Sequence, residues 1–411
     1  MYNVDEIRKH FPMLNGDKKM QGKPLVYLDN ASTTFKPQCV IDAMNDYYMN
    51  RTANSHRGDY DLLYDMDQEV LKTRKAVARF VNCEWNEVAF TSGDTQALNF
   101  IAKGFAKKIL KPGDEIILSY EEHASNLLPW YDVAKQTGAK IVFVPLGEDG
   151  LITCDKIKKV LSNKTRIVSL AHVSNVLGYE IDVKEIAKLV HSVGAYFVVD
   201  GAQSVPHIKT DFKGWDIDFL SIAGHKMCAP TGTGCLIGKY ELLDMMDCPN
   251  VGGGMNVDFT KKFEYTPLNP PEKFEAGTQN VSGIMGLRAA IEFLESIGVE
   301  NIHEHDKELV EYAFSRLEKC DKVILYNRKA TSGIICFNIK DVFPQDEATL
   351  LNYKGIAVRS GQHCAKILHN FLGTKATCRI STYLYTSKEE IDKAIDAIIN
   401  GGDILDAYFS D

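Results

Sequence analysis

Short apolar runs recur along the first two thirds of the chain, at 87–90, 115–118, 141–144, 166–170, 196–199, 219–223 and 235–238. Runs of four or five residues are too short for helices and read as strands buried on both faces. Between them the apolar spacing changes to the helical period, most clearly from the Thr91–Thr95 turn to Ile109 and from Asp182, a helix-capping residue, to His191. Strands alternating with helices at this spacing predict an α/β fold with a mostly parallel sheet. Helical patterns also cover 38–50 and 65–81, and a long one covers 281–297. Beyond it the pattern changes to helices at 303–319, 346–353 and 387–400 with strands near 333–338 and 376–381. This predicts a large domain over 21–290 and a smaller α+β domain over 291–411, joined by the short helix and connector of residues 1–20.

Composition narrows the class. The chain has 411 residues, 45% hydrophobic and 25% charged, ordinary for a soluble globular protein. A net charge of -8 argues against a nucleic-acid partner. Residues 1–15 lack a signal-peptide core and no apolar run is long enough to span a membrane, so a cytoplasmic location is expected and a membrane partner is not. The ten cysteines are scattered with no C-x-x-C, which argues against a metal site or a disulfide framework. Cys235 and Cys336 lie inside apolar runs and read as small core residues.

Candidate chemistry gathers at strand ends. The run 219–223 breaks into Gly224-His225-Lys226 and then a Pro/Gly-rich loop. A lysine leaving a buried strand is desolvated, which lowers its pKa and makes it a Schiff-base candidate; a solvated lysine in a turn is the plain alternative. The run 196–199 ends on Asp200-Gly201-Ala202-Gln203, and strand carboxyl ends face the ligand crevice of open α/β sheets. Thr91-Ser92-Gly93-Asp94-Thr95 is a glycine turn feeding a helix, a geometry that suits phosphate as well as an ordinary cap. Together with Arg359-Ser360-Gly361-Gln362-His363-Cys364-Ala365, these motifs resemble the SufS-type (group II) cysteine desulfurases and selenocysteine lyases. Those are class V aminotransferase-family members with the type I fold of pyridoxal 5'-phosphate (PLP) enzymes. The resemblance runs from Phe11-Pro12 to the last helix.

The resemblance implies a cofactor and a set of roles. PLP is the cofactor and Lys226 holds its aldehyde. Asp200 keeps the ring nitrogen protonated, and His123 stacks on the ring and moves protons. Asn175 and Gln203 bond the phenolic oxygen. Asp94, Thr95 and His225 belong to the phosphate cup, and Thr278 reaches the phosphate in the other subunit, which implies a homodimer. Arg379 clamps the carboxylate of L-cysteine, helped by Arg359, by Asn175, by the small-residue loop that includes Ala31, and by the loop that includes His56. Cys364 takes the sulfur as a persulfide and passes it to a SufE- or SufU-type acceptor for iron–sulfur cluster assembly. Arg359, His363 and Lys366 are near Cys364 in sequence and are expected to favour its thiolate. Asp94 departs from the family's neutral hydroxyl residue, and a carboxylate there is unfavourable unless it turns outward. Ala223 removes a second hydroxyl, and Gln96 and Ala124 also replace common family residues. A selenocysteine lyase or another C–S lyase is the nearest rival reading; a non-catalytic scaffold of iron–sulfur assembly is the other.

Overall fold

The computed structural model describes residues 2–16, 18–54, 59–147, 149–262 and 264–401. Its centre is a seven-stranded sheet of β1 (Val88–Thr91), β2 (Glu115–Ser119), β3 (Lys140–Val144), β4 (Thr165–Ala171), β5 (Tyr196–Asp200), β6 (Phe219–Ala223) and β7 (Gly234–Gly238). The order across the sheet is β1-β7-β6-β5-β4-β2-β3. β7 runs antiparallel to both its neighbours, while β6, β5, β4, β2 and β3 pair in parallel. Strands β1, β6 and β7 are buried at every residue, as expected of strands covered on both faces. Two apolar clusters fill these faces. One holds Ile117, Val168, Val199 and Leu220, the other Ile116, Ile167, Val198 and Phe219, so alternate residues of one strand enter opposite cores.

Helices α1 (Asp61–Val81), α2 (Asp94–Phe100) and α3 (Val183–Ser192) pack around the sheet. α2 continues through a wider turn at Ile101–Ala106 and ends at Ile109, matching the expected 94–109. The first long helical pattern is also met: a helix covers Gln38–Asp46 and widens into a π turn at Tyr47–Arg51, together spanning the expected 38–50. A helix over Leu128–Thr137 is absent from the sequence-based expectation, although Pro129 at its first turn and buried Trp130, Val133 and Ala134 carry the pattern.

α4 (Val281–Ile297) packs on α1 and on the Gln38–Asp46 helix. Gly298, at φ +87°, then breaks the chain before α5 (Val299–Leu317). A second sheet follows, built of β8 (Val323–Leu325), β9 (Ile334–Ile339), β10 (Arg359–Gly361) and β11 (Thr377–Ser381), in the order β8-β9-β11-β10 and antiparallel throughout. α5 and α6 (Lys388–Asn400) pack together beside it. The N-terminal segment is fastened here: Arg8 makes paired bonds to Glu390 at 2.8 and 3.1 Å, and the Tyr2 ring stacks on His305.

The loop after Val26–Tyr27 joins the two sheets. Val26–Tyr27 pairs in parallel with Ile356–Ala357, and Ala31 N–H donates to Ser381 Oγ at 2.9 Å. Thr34 N–H donates to the His225 carbonyl at 3.1 Å on the large-sheet side. Among the described residues no helix is long and apolar enough to cross a membrane.

Candidate active site

The carboxyl ends of β1, β4, β5 and β6 open into one cavity of about 330 Å³. Its floor is Ala171, Asp200 and Ala223 from the strand ends, with Ser92, Gly93, Asp94 and Thr95 from the turn into α2. His123, Asn175, Gln203, His225 and Lys226 form its walls, and Ala31, Arg359, His363, Cys364 and Arg379 close it from the second sheet. The turn at Gly93 reaches this position because Gly234, at the start of β7, has no side chain. A Cβ there would lie 2.4 Å from the Ile222 carbonyl oxygen and 2.6 Å from Gly93 Cα.

Lys226 follows β6 on a single 3-10 turn, Gly224–Lys226. The carbonyl of its neighbour His225 accepts from Thr34 N–H, from the Thr33 and Thr34 hydroxyls and from Lys36 Nζ, at 3.0 to 3.2 Å. Four donors on one carbonyl hold the turn. Burial lowers the Lys226 ammonium's pKa; Asp200 and Asp94 oppose that shift, while Arg379 and Arg359 add to it. Asp200 is 4% exposed and accepts from Ala202 N–H at 2.9 Å. The His123 ring is held by Ser125 N–H donating to Nδ1 at 3.1 Å. Burial, then Lys226, pushes His123 down to about 4, so it is a neutral imidazole near pH 7.

Asn175 lies here with its amide donating to the His363 carbonyl at 2.8 Å, and Gln203 donates to the Ala31 carbonyl at 2.9 Å. Both therefore hold neighbouring loops as well as lining the cavity. Thr95 is exposed, with its hydroxyl 2.7 Å from that of Ser125. Thr278 is also exposed and lies outside this cavity, in an adjoining cleft with Gly232 and Asn280. His56 falls outside the described residues.

The turn carrying the candidate nucleophile is strained. His363 and Cys364 sit at φ +49° and +56°, the left-handed region, while Cys364 itself is exposed. Ala124 N–H donates to the Cys364 carbonyl at 2.9 Å, which ties this turn to the His123 loop. The expectation that His363 favours a thiolate by charge is not met. His363 is 4% exposed, and burial followed by Arg379 pushes it down to about 2, so it is neutral. It acts on the turn through geometry, its Nε2 lying 3.0 Å from Thr377 Oγ1.

Arg359 and Arg379 face each other across β10 and β11. Arg379 is 2% exposed and donates to the Asn175 carbonyl at 2.8 Å, to Ser32 Oγ at 3.0 Å and to Asp29 Oδ1 at 3.2 Å. Arg359 donates to the same Ser32 hydroxyl at 2.7 Å. Asp29 and Ser32 are site residues that sequence reasoning misses. The small side chains of their loop are a visible signal, but that signal singles out only Ala31.

Asp94 does not turn outward. It is 8% exposed and its carboxyl faces Asp200, Ser221 and Lys226.

Among the described residues nine buried side-chain polar atoms lack a partner, and four belong to residues lining this cavity: Asp94 Oδ1, Asn175 Oδ1, His363 Nδ1 and Arg379 Nε. Buried polar atoms are rarely left unpaired, so this concentration marks a polar ligand's place. The donor set suits PLP: an amine of lowered pKa, a carboxylate at the adjacent strand end and a neutral ring beside them. Among the described residues no group of three or more His, Cys, Asp or Glu is placed to hold a metal ion.

Comparisons agree with this geometry. Over 408 residues the chain is 44% identical to a probable cysteine desulfurase of Halalkalibacterium halodurans, covering 99% of each. The crystal structure of the cysteine desulfurase CsdA from Escherichia coli, in its S-sulfonic acid form, superposes with a TM-score of 0.90 at 35% identity, covering 99% of each chain. The apo cysteine desulfurase of Thermococcus onnurineus NA1 superposes with a TM-score of 0.92 at 34% identity, covering 98% of this chain and 99% of that one. The architecture is the type I fold of PLP enzymes. Residues 26–394 match the aminotransferase class-V family, and with Lys226 and Asp200 meeting in one cavity across that same span, the chain belongs to this family.

Proposed function

We propose that the chain is a PLP-dependent cysteine desulfurase that converts L-cysteine to L-alanine and leaves the sulfur on Cys364. The observation that carries this reading is one cavity lined by Lys226, Asp200, the paired arginines and an exposed cysteine. Lys226 would hold the cofactor by its aldehyde, Asp200 its ring nitrogen, His123 its ring face, and Thr95 with His225 its phosphate. When bound, PLP supplies an electron sink for negative charge at the substrate Cα.

The chain's own groups do the rest. Arg379 and Arg359 hold the substrate carboxylate against the loop of Asp29, Ala31 and Ser32, a task suited to planar guanidinium groups. Lys226 moves the proton at Cα. The Cys364 thiolate attacks the substrate sulfur, the sulfur–carbon bond breaks, and its electron pair stays with the substrate carbon, which is protonated to give alanine. Cys364 is left as a persulfide on an exposed turn, open to a SufE- or SufU-type acceptor that passes sulfur to iron–sulfur cluster assembly. We read 21–290 as the cofactor-binding domain, and 1–20 with 291–411 as the small domain carrying Cys364 and Arg379.

A homodimer is part of this proposal. Thr278 is exposed and lies outside its own cavity, and Met49, Val257 and Phe259 expose 79%, 69% and 75% of their surface, apolar area suited to a partner copy. All ten cysteines are free, in keeping with a reducing cytosol. The test is to supply L-cysteine and measure alanine, visible absorbance and protein mass. The expected result is alanine formation with Cys364 sulfur-modified. In Lys226→Ala, turnover and the visible band of lysine-linked PLP should be lost. Borohydride labelling of any lysine other than Lys226 refutes the assignment.

A further inference from the structure

No step of the proposed reaction uses Asp94, yet it occupies the floor of the cavity. It stands on the first residue of α2, where the turn packed over Gly234 carries its side chain across the end of β6 toward Asp200 on β5. Its Oδ1 makes no hydrogen bond, and neither does the buried Ser221 hydroxyl that it faces. Ser221 and Asp200 are register partners on adjacent strands, so three polar side chains converge at one point.

Two facing carboxyl groups away from water do not both ionise readily; one keeps a proton. Asp200 already accepts from the Ala202 N–H, whereas Asp94 Oδ1 has no donor to support a negative charge. The proton therefore falls to Asp94. Resting on the PLP reading, we propose that Asp94 is a positioning residue: its neutral carboxyl donates a hydrogen bond that orients Asp200 toward the cofactor's ring nitrogen, and PLP binds only while Asp94 keeps that proton.

The surrounding charges agree. Burial, then Asp200, raises the Asp94 pKa well above the carboxylate range, with Ser221 and Lys226 opposing. The other titratable groups around the cavity are His123, His225, His363, Cys364, Arg359 and Arg379, and behind its floor lies Glu122, near Asp200 and pushed up to about 8 by burial. His123 and His225 are pushed down to about 4 and His363 to about 2, so all three stay neutral through the range where Asp94 would lose its proton. Once ionised, Asp94 adds a second negative charge between Asp200 and the place for an anionic phosphate.

The test is the PLP dissociation constant of the apoenzyme by equilibrium dialysis, from about pH 6.5 to about pH 9, for wild type, D94N and D94A. The amide introduced by D94N would donate as the neutral acid does but would not titrate, so the wild-type to D94N ratio isolates Asp94 from Lys226 and from free PLP. That ratio should rise with pH, up to about tenfold per unit once Asp94 ionises. D94A, lacking the donor, should bind several-fold more weakly than D94N at every pH. A ratio that stays constant, or D94A binding as tightly as D94N, overturns the proposal. The visible band, read in the same samples, separates the two claims. Its absence from wild type with PLP bound overturns the Lys226 linkage and leaves the Asp94 result intact, whereas wild type that binds no PLP at all refutes the cofactor reading.

Discussion

Replacing Arg379 by lysine keeps the charge and removes the planar fork. Arginine offers five N–H donors, and the protein uses three of them on Asn175, Ser32 and Asp29. The remaining two, one of them the unpartnered Nε–H, are free for a substrate carboxylate. Lysine has a single nitrogen, which cannot hold Asn175, Asp29 and substrate together. The loss is about one charge-assisted hydrogen bond, roughly 1.5 to 3 kcal/mol, or roughly ten- to a hundredfold in kcat/KM. The carboxylate does not take part in breaking the carbon–sulfur bond, so its contacts are equal in the ground and transition states. The loss should therefore appear as a raised KM with kcat retained. The assay is alanine formation against L-cysteine concentration, with melting temperature and visible absorbance checking fold and cofactor. Arg359→Lys, altering an exposed arginine with a single bond to Ser32, should have a smaller effect. A kcat/KM within twofold of wild type for R379K would refute the clamp. A fall in kcat at constant KM would instead assign Arg379 to holding the Asn175 and Asp29 loops.

Cys364→Ser should abolish the sulfur adduct seen by mass spectrometry after L-cysteine while PLP stays bound; an adduct persisting on buried Cys228 or Cys378 would reject Cys364 as the acceptor. Glu275→Gln removes the charge that pairs with buried Arg74 and turns one of its two acceptors at 2.8 Å into an N–H donor, and should cost roughly 3 to 5 kcal/mol in chemical denaturation; a loss under about 1 kcal/mol would contradict the burial argument. Gly234→Ala forces a Cβ against Gly93 and the Ile222 carbonyl, an overpacking cost of roughly 1 to 3 kcal/mol. Its distinctive outcome is weaker PLP binding, measured by dialysis, because the displaced turn carries Asp94 and Thr95.

Much of this protein is legible without coordinates, because its information is local. Burial on both faces writes each central strand as an apolar run, and a polar residue where the run stops marks the strand end. Asp200 and Lys226 can thus be placed at the mouth of one sheet before its strand order is known, and α2 is legible from its glycine turn to Ile109. The Leu128–Thr137 helix shows the limit of that reading, since ten residues with a leading proline and aromatic side chains give a weak period. Tertiary structure alone decides the rest. Arg359 and Arg379 are twenty positions apart, and only the register of β10 against β11 sets them side by side. Asp29 enters the site because its loop is fastened to both sheets, through Ser381 and through the His225 carbonyl. The charge of His363, expected from its place beside Cys364, is removed by burial against Arg379. Asp94 points inward because Gly234 lets its turn close over the sheet, a contact between Gly234 and Gly93, 141 positions apart, that no local pattern records. Side-chain direction at a strand end depends on what packs over it, and that is a property of the assembled fold.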